Sequence, residues 1–310
     1  MVAHAHGSEA KPHPGVSGVL EAMDAYPGLV MNNRDSVRQK LQRLLADGPS
    51  KLQVMTDFDY TMSRHRDVDG ELCWTTHRVM EAEAAIVSPQ LGRELDALKD
   101  KYMAIEFDPH LSKEEKTPHM VTWWETAHGK IAAAGFTRKH LEDGVQRSRI
   151  VLRDGCTDVV KMLESAGIPL VVFSAGIGDV IDLVMKREFP NALPYHLVGN
   201  HMEYDASGEV VGFKPPLVHT FNKNETVVDQ ERGLAEALEG RSNVLLLGDS
   251  LGDVHMDVGC RHEAVALKIG FLNIRVEELK PTYLDVYDVV LVEDSTWKLP
   301  KLILSALFTA

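Results

Sequence analysis

Five continuous apolar runs, separated by stretches of helical character, constrain this 310-residue chain more than any other feature. They are KLQVMTDFD (51–59), GIPLVVFSAG (167–176), SNVLLLGDS (242–250), AVALKIG (264–270) and VYDVVLVED (286–294). Helix-like TDVVKMLESAG precedes the second run and DQERGLAEALEG the third. Continuous apolar strands alternating with helices predict a parallel sheet covered on both faces, so the fold class is α/β, doubly wound. SVRQKLQRLLADG (36–48) reads as a further amphipathic helix with Gly48 near its C-cap.

The stretch from 70 to 150 breaks this alternation, being rich in helix formers with no buried strand. One helix opens with Ser88 as N-cap and Pro89 at its first position. Another opens at Ser112, with Glu115 three residues on in the capping-box pattern, and Pro118 should bend it or delay its start. The expected organisation is therefore a core domain from 35–69 and 151–310, interrupted by a helical cap domain at 70–150. The polar, Gly/Pro-rich residues 1–34 are expected to form a mostly disordered tail. EYDASGEVVGF (203–213) reads as a small hairpin turning at Ser207-Gly208.

A formal net charge of −13 argues against a nucleic-acid polymer or an anionic membrane as partner, because both require a basic footprint. It leaves a small phosphate substrate open, since a bound divalent cation and one lysine can invert the field inside a cleft. Cys73, Cys156 and Cys260 are odd in number and lack metal-ligand spacing, which fits a reducing cytoplasm. No apolar run approaches the roughly 20 residues of a membrane span, and the N-terminus lacks the apolar stretch of a signal peptide. A cytoplasmic monomer is expected. His4, His6 and His13 read as part of a solvated tail. His77 reads as a cleft-bordering or surface residue, and His110, His119 and His128 lack zinc-type spacing.

Four short motifs stand at or beyond the C-terminal ends of predicted strands, the edge where open parallel sheets bind ligands. In Asp57-Phe58-Asp59, two carboxylates at i and i+2 can converge, one attacking phosphorus and the other moving a proton; a pair of solvated loop carboxylates is the commoner case when the motif stands alone. Ser174 and Ala175, in Phe173-Ser174-Ala175-Gly176, offer a hydroxyl and backbone N–H groups to phosphate, or a turn with a capping serine. Lys223 could neutralise a transferring phosphoryl group, or be an ordinary solvated lysine. Asp249 and Asp253, framed by glycines, suit a hard cation such as Mg²⁺.

Taken in order, acidic pair, serine, lysine and acidic pair resemble the haloacid dehalogenase superfamily of phosphotransferases. More narrowly, KLQVMTDFDYTMSR, KYMAIEFDP, FSAGIGDVI, FNKNE, LLLGDSLGD and LKIGFLN resemble the cytosolic 5′-nucleotidase III family, over about 35 to 300. The resemblance implies a Mg²⁺-dependent 5′-nucleotidase that converts nucleoside 5′-monophosphates to nucleoside and phosphate through an aspartyl-phosphate. Nucleoside phosphotransfer is an implied side reaction. It makes Asp57 the nucleophile and Asp59 the general acid/base. Mg²⁺ is then held by Asp57, the Asp59 backbone carbonyl and Asp249, with Asp253 in support, while Ser174, Ala175 and Lys223 bind phosphate.

The same resemblance places base recognition in the cap, at Glu106, Trp124 and Ala127. Adjacent tryptophans on a helix face different directions, so Trp123 and Trp124 should not share one environment, and at least one should be core. An indole at 124 favours a cationic 7-methylguanine, and a carboxylate at 106 adds a charge-assisted contact. Ala127 stands where relatives can carry a serine, so that hydroxyl contact is lost, and CMP and UMP remain candidate substrates. Trp297 reads as packing for the last helix. The alternatives are a phosphatase for another small phosphate ester, or a non-enzymatic nucleotide-binding protein on the same fold.

Overall fold

The apolar runs pair into one seven-stranded sheet in the computed structural model, which describes residues 13–106, 108, 110–191, 194–223, 233–257 and 265–308. In chain order the elements are α1 (Gly15–Asp24), β1 (Leu29–Val30), α2 (Arg34–Asp47), β2 (Leu52–Thr56), α3 (Thr76–Val87), α4 (Pro89–Glu106), α5 (Lys113–Ala132) and α6 (Arg138–Arg147). There follow α7 (Cys156–Ser165), β3 (Leu170–Ile177), α8 (Gly178–Glu188), β4 (His196–Asn200), β5 (Met202–Tyr204), β6 (Val210–Phe213), α9 (Leu234–Ala237) and β7 (Asn243–Gly248). β8 (Val265–Leu272), α10 (Val276–Val286), β9 (Val289–Val292) and α11 (Lys298–Leu307) close the chain.

The strand order is β1-β9-β8-β7-β2-β3-β4, parallel throughout except where β1 joins β9. From β2 the sheet builds outward in both directions, which makes β2 the point where the strand order reverses and a crevice opens at the strand ends. Every residue of β2 and β7 is buried, as continuous apolar runs require. Val54, Leu245 and Leu247 pack into one hydrophobic cluster, while Met55, Val244 and Leu246 pack into another. Each such side chain contributes about 1.5–3 kcal/mol on full burial, so the sheet centre is a rigid platform for its own loops.

Four helices, α3 to α6, fill the insertion, and the capping box at Ser112 and Glu115 forms as predicted. Ser88 Oγ accepts from Leu91 N at the start of α4. α5 runs through Pro118 rather than starting after it. The hairpin β5–β6 packs on this insertion. Phe213 stacks on His128 at 3.6 Å, and Arg138 lies 4.3 Å over the Tyr204 ring.

The expected tail is corrected over its described part. Val16, Val19, Leu20 and Met23 bury one face of α1, an i, i+3, i+4, i+7 stripe that the Gly/Pro-rich composition conceals. β1 then adds an antiparallel edge strand. Among the described residues, no helix is long and apolar enough to cross a membrane. Cys73 and Cys156 are free and buried, and Cys260 lies outside the described residues.

Candidate active site

Asp57 follows β2 directly, and its backbone N–H donates to the Leu247 carbonyl at 3.0 Å, which extends the sheet by one residue. The chain then turns through Tyr60, whose φ of 63° is left-handed. A side chain there costs about 1–2 kcal/mol, so the turn must be held from outside. Asp57 is buried, and its carboxylate accepts from Lys223 Nζ at 2.5 Å; the same ammonium donates to Asp253 at 2.7 Å. Burial pushes the Asp57 carboxyl up to about 7, with Lys223 opposing that shift. Burial also works against the Lys223 charge, yet Asp253 and Asp57 together hold its pKa above the usual lysine value.

The loop after β7 is shaped around Asp253. One of its carboxylate oxygens takes Lys223, and the other accepts from Asp249 N at 3.1 Å, Ser250 N at 2.9 Å and Ser250 Oγ at 2.8 Å. A Cβ on Gly248 would lie 2.4 Å from Asp253 Cβ, and one on Gly252 would lie 2.2 Å from the Thr220 carbonyl oxygen. Close approach, rather than a left-handed φ, therefore demands both glycines.

Asp249 is arranged differently. Among the described residues no hydrogen bond reaches its carboxylate, and burial followed by repulsion from Asp57 and Asp253 raises its pKa well above the usual range. One oxygen from each of Asp57, Asp249 and Asp253 falls within 4.8 Å of the others. Three crowded carboxylates against one ammonium form a donor set that fits a hard divalent cation. Since Asp253 already accepts four hydrogen bonds, it suits a supporting place better than a ligand's.

Asp59 points elsewhere. Its carboxylate accepts from Thr76 N at 2.9 Å and Thr76 Oγ1 at 2.7 Å, at the N-terminus of α3. Burial raises its pKa to about 6, and the two Thr76 hydrogen bonds oppose the shift. Ser174 belongs to β3, where its Oγ accepts from Gly176 N at 3.0 Å, and the Ala175 carbonyl accepts from Asn200. A Cβ on Gly176 would lie 2.2 Å from Thr76 Oγ1 and 3.0 Å from both Asp59 Oδ2 and Ser174 Oγ. Asp59 and Ser174 thus converge on one point, with a glycine between them.

The insertion supplies the facing wall. Glu106 ends α4, and its carboxylate accepts from Thr220 Oγ1 at 2.8 Å; burial raises its pKa. Trp123 and Trp124 are both buried and stack on each other at 4.9 Å, which corrects the expectation that they cannot share surroundings. Only Trp123 joins the main hydrophobic cluster. Trp124 also stacks on His77 at 4.2 Å. Ala127 sits in the packed cluster with Met120, Trp123 and Ile131. The buried atoms Trp124 Nε1, His77 Nε2 and His128 Nε2 have no hydrogen-bond partner among the described residues.

Sequence reasoning missed several residues that hold these groups in place. Thr76 orients Asp59. Asn200 ties the Ala175 carbonyl to the Val218 backbone, bracing the loop that leads to Lys223. Tyr283 on α10 and Tyr287 just past its end donate to the carbonyls of Asp249 and Ser250. Each contact joins distant segments and leaves no local pattern. Trp297 does pack the start of α11, but its indole also donates to the Thr61 carbonyl.

The family model described as Pyrimidine 5′-nucleotidase (UMPH-1) matches residues 60–308. The chain belongs to this family. The match makes this 5′-nucleotidase a hydrolase by descent, although it begins one residue after Asp59. A Caenorhabditis elegans protein called putative cytosolic 5′-nucleotidase 3 is 41% identical over 265 residues, spanning 84% of this chain and 70% of its own. A human 7-methylguanosine phosphate-specific 5′-nucleotidase is 38% identical over 271 residues, spanning 86% of this chain and 88% of its own. Among solved structures, cytosolic 5′-nucleotidase IIIB bound to cytidine superposes with a TM-score of 0.85 at 30% identity, covering 93% of this chain and 96% of that one. A phospho-aspartyl intermediate analogue of phosphoserine phosphatase, at 17% identity and a TM-score of 0.50, shares the haloacid dehalogenase-like fold alone. The 5′-nucleotidase therefore carries the doubly wound core that its sequence predicted.

Proposed function

We propose that the enzyme hydrolyses nucleoside 5′-monophosphates through an aspartyl-phosphate on Asp57. The observation that carries this reading is a buried carboxylate at the sheet's reversal point, paired to Lys223 and crowded by Asp249. Mg²⁺ suits this donor set, held by Asp57, Asp249 and the Asp59 carbonyl, with Asp253 bracing the loop and Lys223. When bound, the cation lowers the repulsion between phosphate and carboxylates. Asp57 attacks phosphorus in line with the departing 5′-oxygen, and Lys223, Ser174 Oγ and backbone N–H groups beside Ala175 take the phosphate oxygens. Asp59, its carboxyl raised to about 6, gives its proton to the departing 5′-oxygen. It then removes a proton from the water that cleaves the acyl phosphate.

The base is the finer part of the proposal. Glu106 and Trp124 supply a carboxylate and an indole face, a pairing that favours cationic 7-methylguanine over a neutral base. Trp124 is 8% exposed, so a base reaches it only when His77 yields its place on the ring. Ala127 contributes shape and no hydrogen bond. Relatives named for 7-methylguanosine phosphate and a cytidine-bound neighbour support both base classes as substrates. The relative named cytosolic supports a cytoplasmic enzyme, and a small-molecule substrate needs no second copy.

Steady-state rates on 7-methylguanosine monophosphate, CMP, UMP, GMP and a sugar phosphate test this reading. Expected is a kcat/KM for the methylated nucleotide at least about tenfold above that for GMP, as a cation–π contact near 1.4 kcal/mol implies. A sugar phosphate turned over faster than every nucleotide would overturn it.

A further inference from the structure

Arg153 is a buried cation that no step above uses. It is 2% exposed, and its donors go to neutral acceptors. Nε donates to the Thr61 carbonyl at 3.0 Å, and one terminal nitrogen donates to the Tyr60 carbonyl at 2.5 Å and to Asn273 Oδ1 at 2.9 Å. The guanidinium lies 4.2 Å over the Phe271 ring. Interior cations ordinarily face an opposite charge; Asp249 and Asp294 act on this one through space, but its planar fork is spent on two successive backbone carbonyls.

Those carbonyls follow Asp59 immediately, and each has a second donor. Asn273 Nδ2 donates to the Tyr60 carbonyl at 3.1 Å, and Trp297 Nε1 donates to the Thr61 carbonyl at 2.9 Å. Four donors from three side chains thus converge on the one non-glycine turn beside the acidic pair that has a positive φ. If Tyr60 relaxed to an ordinary backbone conformation, its carbonyl would swing away and strand buried donors. The backbone tie from Arg153 N to the Met62 carbonyl, at 2.9 Å, does not depend on the side chain. Shortening the side chain therefore spares the local connection between these segments.

We infer that Arg153 is a positioning residue. Its guanidinium locks the left-handed turn at Tyr60 and thereby fixes the separation and aim of the Asp57 and Asp59 carboxylates. This rests on the proposed roles of Asp57 and Asp59. Lysine keeps the charge but not the fork, so it should hold only part of the turn.

The test compares Arg153→Met, Arg153→Lys and the double variant Tyr60→Gly/Arg153→Met, with CMP and Mg²⁺. Arg153→Met should lower kcat by about 10- to 100-fold, as a misplacement near 1 Å does, and leave KM within about threefold. Arg153→Lys should fall between it and wild type, and it carries the test if the methionine variant does not fold. Glycine adopts the left-handed turn without strain, so the double variant should recover much of the lost kcat. A lowered melting temperature with unchanged kcat, or no recovery with glycine, would overturn the inference. Asp57→Asn run alongside separates the two failures. Full turnover by that variant sinks the reading of the site itself. Its inactivity beside a fully active Arg153→Met sinks the role of Arg153 alone.

Discussion

The two walls of the cleft are built on opposite terms. On the sheet side, Lys223 joins Asp57 to Asp253 by short hydrogen bonds, loop amides hold the Asp253 carboxylate, and two tyrosines and Asn200 tie the carbonyls of Asp249, Ser250 and Ala175. On the side of the helical insertion, rings stack on rings, and Trp124, His77 and His128 bury polar atoms that have no partner among the described residues. A wall whose groups are tied in this way, with the Asp249 carboxylate left open for a cation, can hold one geometry for phosphate transfer, which every substrate shares. An unsaturated one can adapt to the part of the substrate that varies, and buried polar atoms left unpaired favour whatever ligand satisfies them. The contrast supports the proposal that chemistry belongs to the first wall and choice of base to the second.

Removing Asp57, the proposed nucleophile, should break the comparison most violently. Asp57→Asn is expected to lower kcat by at least about 10³-fold, and by the same factor for 7-methylguanosine monophosphate and CMP. Unequal losses, read from full kinetics on both, would show that the walls are not separate. Trp124→Ala should do the reverse. It is expected to cut kcat/KM for the methylated nucleotide by about tenfold and to affect CMP less. An unchanged ratio would remove the indole from base choice.

A third test uses pH. Burial lowers His128 from 6.5 to about 4 and His77 to about 3, so both stay neutral in the folded chain. Between pH 6.5 and 4 the unfolded chain binds more protons at these sites than the folded one. Their contribution is therefore complete above about pH 6.5 and is lost as pH falls toward 4, at up to about 1.4 kcal/mol per pH unit for each. Denaturant unfolding at pH 7 and pH 5 should show this loss in wild type and a smaller one in His128→Phe, which keeps a ring against Phe213. Equal losses would mean that His128 titrates freely.

The same contrast explains what the sequence revealed. The candidate residues on the sheet side stand where an apolar run stops, at Asp57 after β2, Asp249 after β7 and Ser174 within β3, and that pattern marks their position. The sheet itself was legible for the same reason, because β2, β3 and β7 are continuous apolar runs. β4 escaped notice: HLVGN has little apolar length, and its place comes from pairing with β3. The amphipathic face of α1 was hidden by surrounding glycine and proline. Thr76, Asn200, Tyr283 and Arg153 were missed because each acts on a segment remote in sequence. The ring stack of Trp124 with His77 was illegible too, since it needs α3 laid against α5.

Trapping the acyl phosphate tests the central claim most directly. Enzyme turning over CMP with Mg²⁺ is acid-quenched and treated with borohydride, which reduces an aspartyl-phosphate to homoserine, and its peptides are then mapped by mass. The account predicts homoserine at position 57, dependent on both substrate and metal. Homoserine at another carboxylate, or none during full turnover, would contradict it.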